Sequence, residues 1–186
     1  MANYVALPSS GLTAVWHDVD GSLASRADLR WENEGWTAEV QLAADDAVAV
    51  FRLSAGWQVQ QMLLFRDMVE PDLWLATDGR GHWGEMNGAH RSELDGCIDI
   101  DFANTPFTNS IITHRLPLEV GHTADLNVIV IDVETLAVEK YARRYTRLSP
   151  FTWSYTCHVT GQQVEATVDE FGIVLNEQNR FTRVGT

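Results

Sequence analysis

From Leu12 to Asn176 the chain is a succession of short segments in which apolar and polar side chains alternate with period two. Turn residues break them at the roughly 8–12-residue spacing of a sandwich or barrel. The cleanest case is Trp36–Leu42, with Trp36, Ala38, Val40 and Leu42 on one face and Thr37, Glu39 and Gln41 on the other. Val48–Leu53 alternates in the same way, and in Trp57–Phe65 the residues Trp57, Val59, Leu63 and Phe65 share a face. Strands are also expected at Leu12–His17, Ser22–Trp31 and Leu73–Thr77, the last forming a hairpin with His82-Trp83 about Asp78-Gly79. Further along they fall at Cys97–Phe102, Thr108–Arg115, Val138–Leu148, Phe151–Val159, Gln163–Asp169 and Ile173–Asn176. Leu126–Val133 is a near-continuous apolar run, the pattern of a strand buried on both sides. Glu134–Ala142 reads as strand rather than as a short helix, and no segment sustains helical amphipathicity. These features predict an all-β chain with little helix: a single-domain antiparallel β-barrel or half-barrel of many short strands over residues 1–186, because closure is the simplest way to hide so many edges.

Composition excludes several classes of function. At a formal charge of -13, the chain lacks the positive field that grips phosphate backbones, and an anionic membrane surface would repel it. No stretch approaches the ~20 apolar residues of a membrane span. The first residues lack the basic and apolar regions of a signal peptide, so a cytoplasmic location is expected. Cys97 and Cys157, without metal-ligand spacing, read as reduced thiols. Lys140 is the only lysine, so the positive charge is almost all arginine, the side chain suited to fixed bidentate contacts.

Polar chemistry concentrates in Gly96–Leu118. Asp99 and Asp101 are two apart in a strand and share a face, with Cys97 beside them. Such a pair could serve a divalent cation or an acid/base couple, but the favoured reading is acceptance of hydrogen bonds from arginines and loop amides across a barrel wall. Thr105-Pro106-Phe107-Thr108-Asn109 reads as a proline-fixed loop, with Asn109 as a scaffold or ligand contact. Arg115, Arg143, Arg144 and Arg147 form the densest positive region, and Arg143, Tyr145 and Arg147 share one strand face. They are placed either to hold a phosphate or carboxylate head group or to pair with the acidic residues. Seven tryptophans offer core or sugar-stacking faces, with His82 and Trp83 the candidate lining pair. The six histidines, His158 among them, are scattered; there is no G-x-S-x-G elbow, no H-E-x-x-H and no phosphate-binding glycine loop, so no cofactor is expected.

The run GC-IDID-x3-TPFTN, followed by an apolar stretch and His114-Arg115-Leu116, resembles the bacterial "Putative glycolipid-binding" family, formerly a domain of unknown function. Asp78-Gly79-x-Gly81-x-Trp83, Tyr145-Thr146-Arg147-Leu148 and Val168-Asp169 ahead of Gly172-Ile173-Val174 fit the same pattern, so the likeness runs from about Trp16 to Arg183. The chain departs from it at Ile112 and His114, at Arg143 and in the tail at Asn176-Glu177-Gln178. The resemblance implies a barrel-like fold similar to bacterial lipid carriers and no catalytic residues to carry over.

Two functions follow as expectations. The first is non-enzymatic binding of a glycolipid or other small amphipathic ligand in the barrel interior, with His82, Trp83, Asp99, Asp101, Asn109, Arg115, Arg143, Tyr145 and Arg147 lining it. The alternative is a metal-assisted phosphoester hydrolase, with Asp99 and Asp101 as ligands and the arginines holding phosphate. A partner-binding domain would instead show a large exposed apolar patch.

Overall fold

One sheet of fourteen strands carries the whole chain, in the order β7-β6-β5-β4-β3-β2-β1-β14-β13-β12-β11-β10-β9-β8. The first meander comprises β1 (Leu12–Asp18), β2 (Leu23–Glu32), β3 (Gly35–Leu42), β4 (Ala47–Ser54), β5 (Val59–Phe65), β6 (Leu73–Thr77) and β7 (Trp83–Gly84). The second comprises β8 (Cys97–Phe102), β9 (Thr123–Ile131), β10 (Val138–Ser149), β11 (Thr152–Thr156), β12 (Gln163–Val168), β13 (Val174–Glu177) and β14 (Phe181–Val184). The two join where β1 pairs with β14, Val15 opposite Val184. This computed structural model describes residues 4–67, 69–157 and 159–185; His158 lies outside them.

The sheet is an antiparallel half-barrel with one exception. β8 runs parallel to β9, and the connection between them is α1 (Phe107–Arg115), where strand was expected over Thr108–Arg115. Parallel neighbours need a crossover of a dozen or more residues, and residues 103–122, which include α1, supply it. Pro106 stands at the N-cap with its φ fixed, and the Thr105 hydroxyl just before it accepts the Phe107 N–H at 3.2 Å. Every residue from Phe107 to Thr113 is buried. A helix enclosed on all sides has no apolar stripe facing a polar one, which is why its sequence lacks helical periodicity.

α1 fills the concave side of the sheet. Phe107 and Ile111 pack with Trp16, Phe51 and Phe102 of the first core cluster; Ile112 joins Val128, Tyr145 and Trp153 in the second. Ser110 Oγ accepts the Val174 N–H at 3.0 Å, and the indole of Trp16 donates to the Val174 carbonyl at 2.8 Å, tying helix, β1 and β13 together.

The alternation read in β3 and β4 holds, and that in β5 does not. A bulge between Arg52 and Leu53 in the β4–β5 ladder sets Val59 opposite Leu53 and Gln61 opposite Arg52. The extra residue shifts the inward set to Val59, Met62 and Leu64 and turns Leu63 and Phe65 away from the core. β14 was not expected from the sequence; its four residues pair on both sides, with β1 and β13.

The two edges of the sheet approach without a ladder between them. Gly96 N–H donates to the Gly81 carbonyl and the Trp83 indole to the Cys97 carbonyl, both at 2.9 Å. Gly81, with φ at 91°, allows the approach: a Cβ there would stand 3.3 Å from the Gly96 Cα. Among the described residues no helix is long and apolar enough to cross a membrane.

Candidate functional site

The carboxylates singled out in the sequence are buried and committed to arginines. Asp99 accepts from Arg115 Nε at 2.9 Å and also from its Nη2. Asp101 accepts from Arg143 Nη2 and from the Thr108 hydroxyl, both at 2.6 Å. Arg143 donates onward to the Tyr145 hydroxyl at 3.1 Å, that hydroxyl donates to Asn109 Oδ1 at 2.5 Å, and Asn109 Nδ2 donates to Glu177 at 2.6 Å. Arg180 closes the chain by donating to Glu177 at 2.9 Å, to the Tyr155 hydroxyl at 2.8 Å and to the Ala103 carbonyl at 2.6 Å. Positive and negative side chains balance, and the links run from α1 to β8, β10, β11 and β13. Burial pushes the Glu177 and Tyr145 pKa values up, so at neutral pH the tyrosine stays a hydrogen-bond donor.

Five of the expected residues, Asp99, Asp101, Asn109, Arg143 and Tyr145, thus meet in or beside one buried network that clamps α1 to the sheet, and Arg115 joins it through Asp99. Arg143, Tyr145 and Arg147 do share the inward face of β10. Asp99 meets an arginine of α1 rather than one of β10. Both carboxylates are held by guanidinium groups, and the described residues include no cluster of three metal-donor side chains. Burial lifts the Cys97 thiol to about 11, which keeps it protonated.

His82 and Trp83 are not brought together. Trp83 is buried at the seam, whereas His82 is exposed, its Nδ1 bonded at 2.8 Å to Asp78.

A different group of residues forms an open cleft at one end of the half-barrel. Tyr4, Leu7, Trp36, Ala55, Trp57 and His114 line a hollow of about 240 Å³. Trp57 stacks on His114 with ring centroids 3.8 Å apart and planes within 4°. Trp36 lies 6.3 Å from Trp57, and the half-exposed Trp31 meets Trp36 edge-on at 5.1 Å, so the aromatic surface continues outward from the cleft. Trp57 has φ at 64°, a left-handed backbone that a bulky residue rarely adopts. Such strain persists only where the surroundings over-determine it. His114 Nε2 is buried without a well-formed hydrogen bond among the described residues, and burial lowers the ring's pKa to about 4 against the opposing pull of the Phe171 backbone.

Behind the cleft, Tyr4 packs edge-on against His114 at 5.0 Å, and its hydroxyl accepts from the Trp153 indole at 2.9 Å. Arg147 sits over both rings, 6.0 Å from Tyr4 and 5.5 Å from Trp153, and donates to the Leu118 and Pro150 carbonyls at 2.9 Å each. Sequence reasoning missed this cleft because Tyr4, Trp57 and His114 are far apart in the chain. One usable signal was the parity break after Val59, which places a tryptophan in a turn beside a bulge.

A family model described as "Putative glycolipid-binding" matches residues 13–183. The crystal structure of a DUF1089 family protein from Pseudomonas aeruginosa is similar, with 25% sequence identity and a TM-score of 0.72, over 97% of this chain and 95% of that one. No protein of curated function matches the chain.

Proposed function

Because the chain belongs to the "Putative glycolipid-binding" family, we propose that it binds an amphipathic, sugar-bearing ligand without transforming it, and that the ligand docks in the Trp36–Trp57–His114 cleft. The observation that carries this reading is the flat Trp57–His114 stack held in place by a strained backbone. The stack covers one face of Trp57 and fixes the ring edges that Trp57 and Trp36 turn to the cleft, and the half-exposed Trp31 beside them offers a surface suited to a pyranose ring, whose C–H face is apolar and whose edge is polar. The apolar tail of the ligand would run along the outer surface past Trp36 and Trp31. In this reading the ligand sits at the end of the half-barrel and not in its interior, because α1 occupies the interior. Asp99, Asp101, Asn109, Arg115, Arg143, Tyr145 and Trp83 then hold the frame, and His82 lies away from the ligand.

Dodecyl maltoside, below its micelle concentration, and a sugar-free ether of the same chain length test this by calorimetry and tryptophan fluorescence. The maltoside is expected to bind and to perturb the tryptophan emission, the ether to bind at least several-fold more weakly, and Trp57→Ala to abolish the difference. Equal binding of the two amphiphiles, or none of the maltoside, would count against the reading.

A further inference from the structure

Arg147 is out of keeping with the other arginines that are buried or partly buried. Arg115, Arg143, Arg180 and Arg183 each meet a carboxylate: Asp99, Asp101, Glu177 and Asp169. Arg147 is 6% exposed and meets none among the described residues. Its guanidinium reaches two carbonyls, its Nε has no acceptor, and it rests on two aromatic rings. The neighbouring carboxylate, Asp169, is taken by Arg183 at 2.6 Å. A buried cation without a counter-anion is costly, and aromatic faces offset only part of that cost.

The group lying against this cation is Tyr4, and its surroundings are shaped for it. The Trp153 indole donates to its hydroxyl, and Gly172, with φ at 79°, leaves a hollow that a side chain would fill: a Cβ there would stand 2.5 Å from the Tyr4 ring and 2.7 Å from His114 Nε2. The segment carrying Tyr4 is lightly held. Val5 N–H donates to the Glu170 carbonyl at 2.8 Å, and Val5 and Ala6 are exposed. Segments with so few buried contacts open at low free-energy cost.

We infer that Tyr4 is an internal stand-in for ligand: its phenol occupies a preformed subsite for an anionic oxygen, a phosphate or carboxylate, built from Arg147, Trp153 and His114, and a ligand carrying that group displaces the Tyr4–Leu7 strap. Once Tyr4 lifts, the free Nε of Arg147, the Trp153 indole and His114 Nε2 are donors facing one hollow. The subsite adjoins the Trp57–His114 stack, so it rests on the sugar-binding reading only for its neighbour; its own chemistry stands on Arg147.

The test uses Tyr4→Ala in the full chain, titrated calorimetrically with dodecyl phosphate, dodecanoate, inorganic phosphate and dodecyl maltoside at fixed ionic strength. Removing the stand-in is expected to tighten binding of dodecyl phosphate or dodecanoate about tenfold, the size of one charge-assisted hydrogen bond. Dodecyl maltoside affinity should change much less. Adding Arg147→Met should cancel the gain, and adding Arg147→Lys, which keeps the charge and loses the planar fork, should leave part of it; the lysine variant serves if the methionine variant does not fold. A matching gain for inorganic phosphate would assign the subsite to free anions, and a gain confined to the alkyl compounds would assign it to an amphiphile's head group. No gain in Tyr4→Ala, or a gain that survives both Arg147 substitutions, overturns the inference. Gain for the anions without any maltoside binding would keep this subsite and remove the sugar reading.

Discussion

Trp57 lies flat on His114, centroids 3.8 Å apart, and does so from a left-handed backbone at φ 64°. Two opposing terms therefore meet in one residue: packing that favours the indole, and a conformation that favours glycine. Trp57→Ala should destabilise the fold by about 3–4 kcal/mol through lost packing. Trp57→Gly removes one more carbon yet relieves the backbone, so it should be the more stable of the two by roughly 1 kcal/mol. Urea denaturation of both variants decides the matter: a glycine variant less stable than the alanine variant would show that the backbone is not strained.

The Asp101–Arg143 pair is buried at 3% and 2% exposure. Removing either charge breaks a charge-assisted contact in a dry site, so Asp101→Asn and Arg143→Met should each cost about 3–5 kcal/mol. The double variant should cost clearly less than the sum, a coupling that a double-mutant cycle measures. Additive losses would mean that the two side chains act independently.

Burial lowers the His114 pKa from 6.5 to about 4. Above pH 6.5 the folded and unfolded chains both carry the ring neutral, so it adds no pH dependence there. As the pH falls from 6.5 towards 4, the unfolded chain takes up the proton and the folded chain does not, so stability is lost across that window. His114→Phe should flatten the fall by on the order of 2 kcal/mol. Glu177, whose raised pKa acts in the opposite sense, is unchanged in the variant and drops out of the comparison. Identical pH profiles from pH 7 to 4 in the two proteins would refute the assignment.

At the seam, Trp83→Phe removes the donor to the Cys97 carbonyl and should cost about 1–3 kcal/mol. Hydrogen exchange should quicken first at the Gly96 amide, which bonds to Gly81 across the same seam. If exchange instead rises evenly over the sheet, the indole is not what holds these edges together.

Strands with one face in the core and one in water were legible in the sequence: the alternation of Trp36–Leu42 and of Val48–Leu53 matches the inward faces of β3 and β4 residue by residue. The same rule failed wherever water was absent from the second face. In α1, Thr108, Asn109 and Ser110 look inward to polar partners and the buried Thr113 bonds back to the Ser110 carbonyl, so polarity no longer marks the outside and eight residues of helix read as strand. The clue lay in Leu126–Val133, whose near-continuous apolar run is the pattern of a parallel neighbour and so of a crossover. The arginine–carboxylate pairing was foreseen in kind for Asp99, Asp101 and Arg143, since inward carboxylates need donors; that Asp99 meets Arg115 depended on the helix. Beyond the parity break after Val59 the cleft was not legible, because its rings come from residues 4–7, the β4–β5 turn and the end of α1, and no local pattern links those segments.

The strand order has a consequence for how the chain assembles. Counted from β8 through β14 and on from β1 to β7, the sheet is wholly sequential, so every neighbour except one is also a neighbour along the chain. That exception is β1 against β14, where Val15 meets Val184. Two locally ordered sheets can therefore form early, and their union must await the encounter of the most distant strands, the slow kind of contact in folding. A circular permutant opened between Gly84 and Cys97, with the old ends joined, would convert that late encounter into a hairpin and leave every pairing in place.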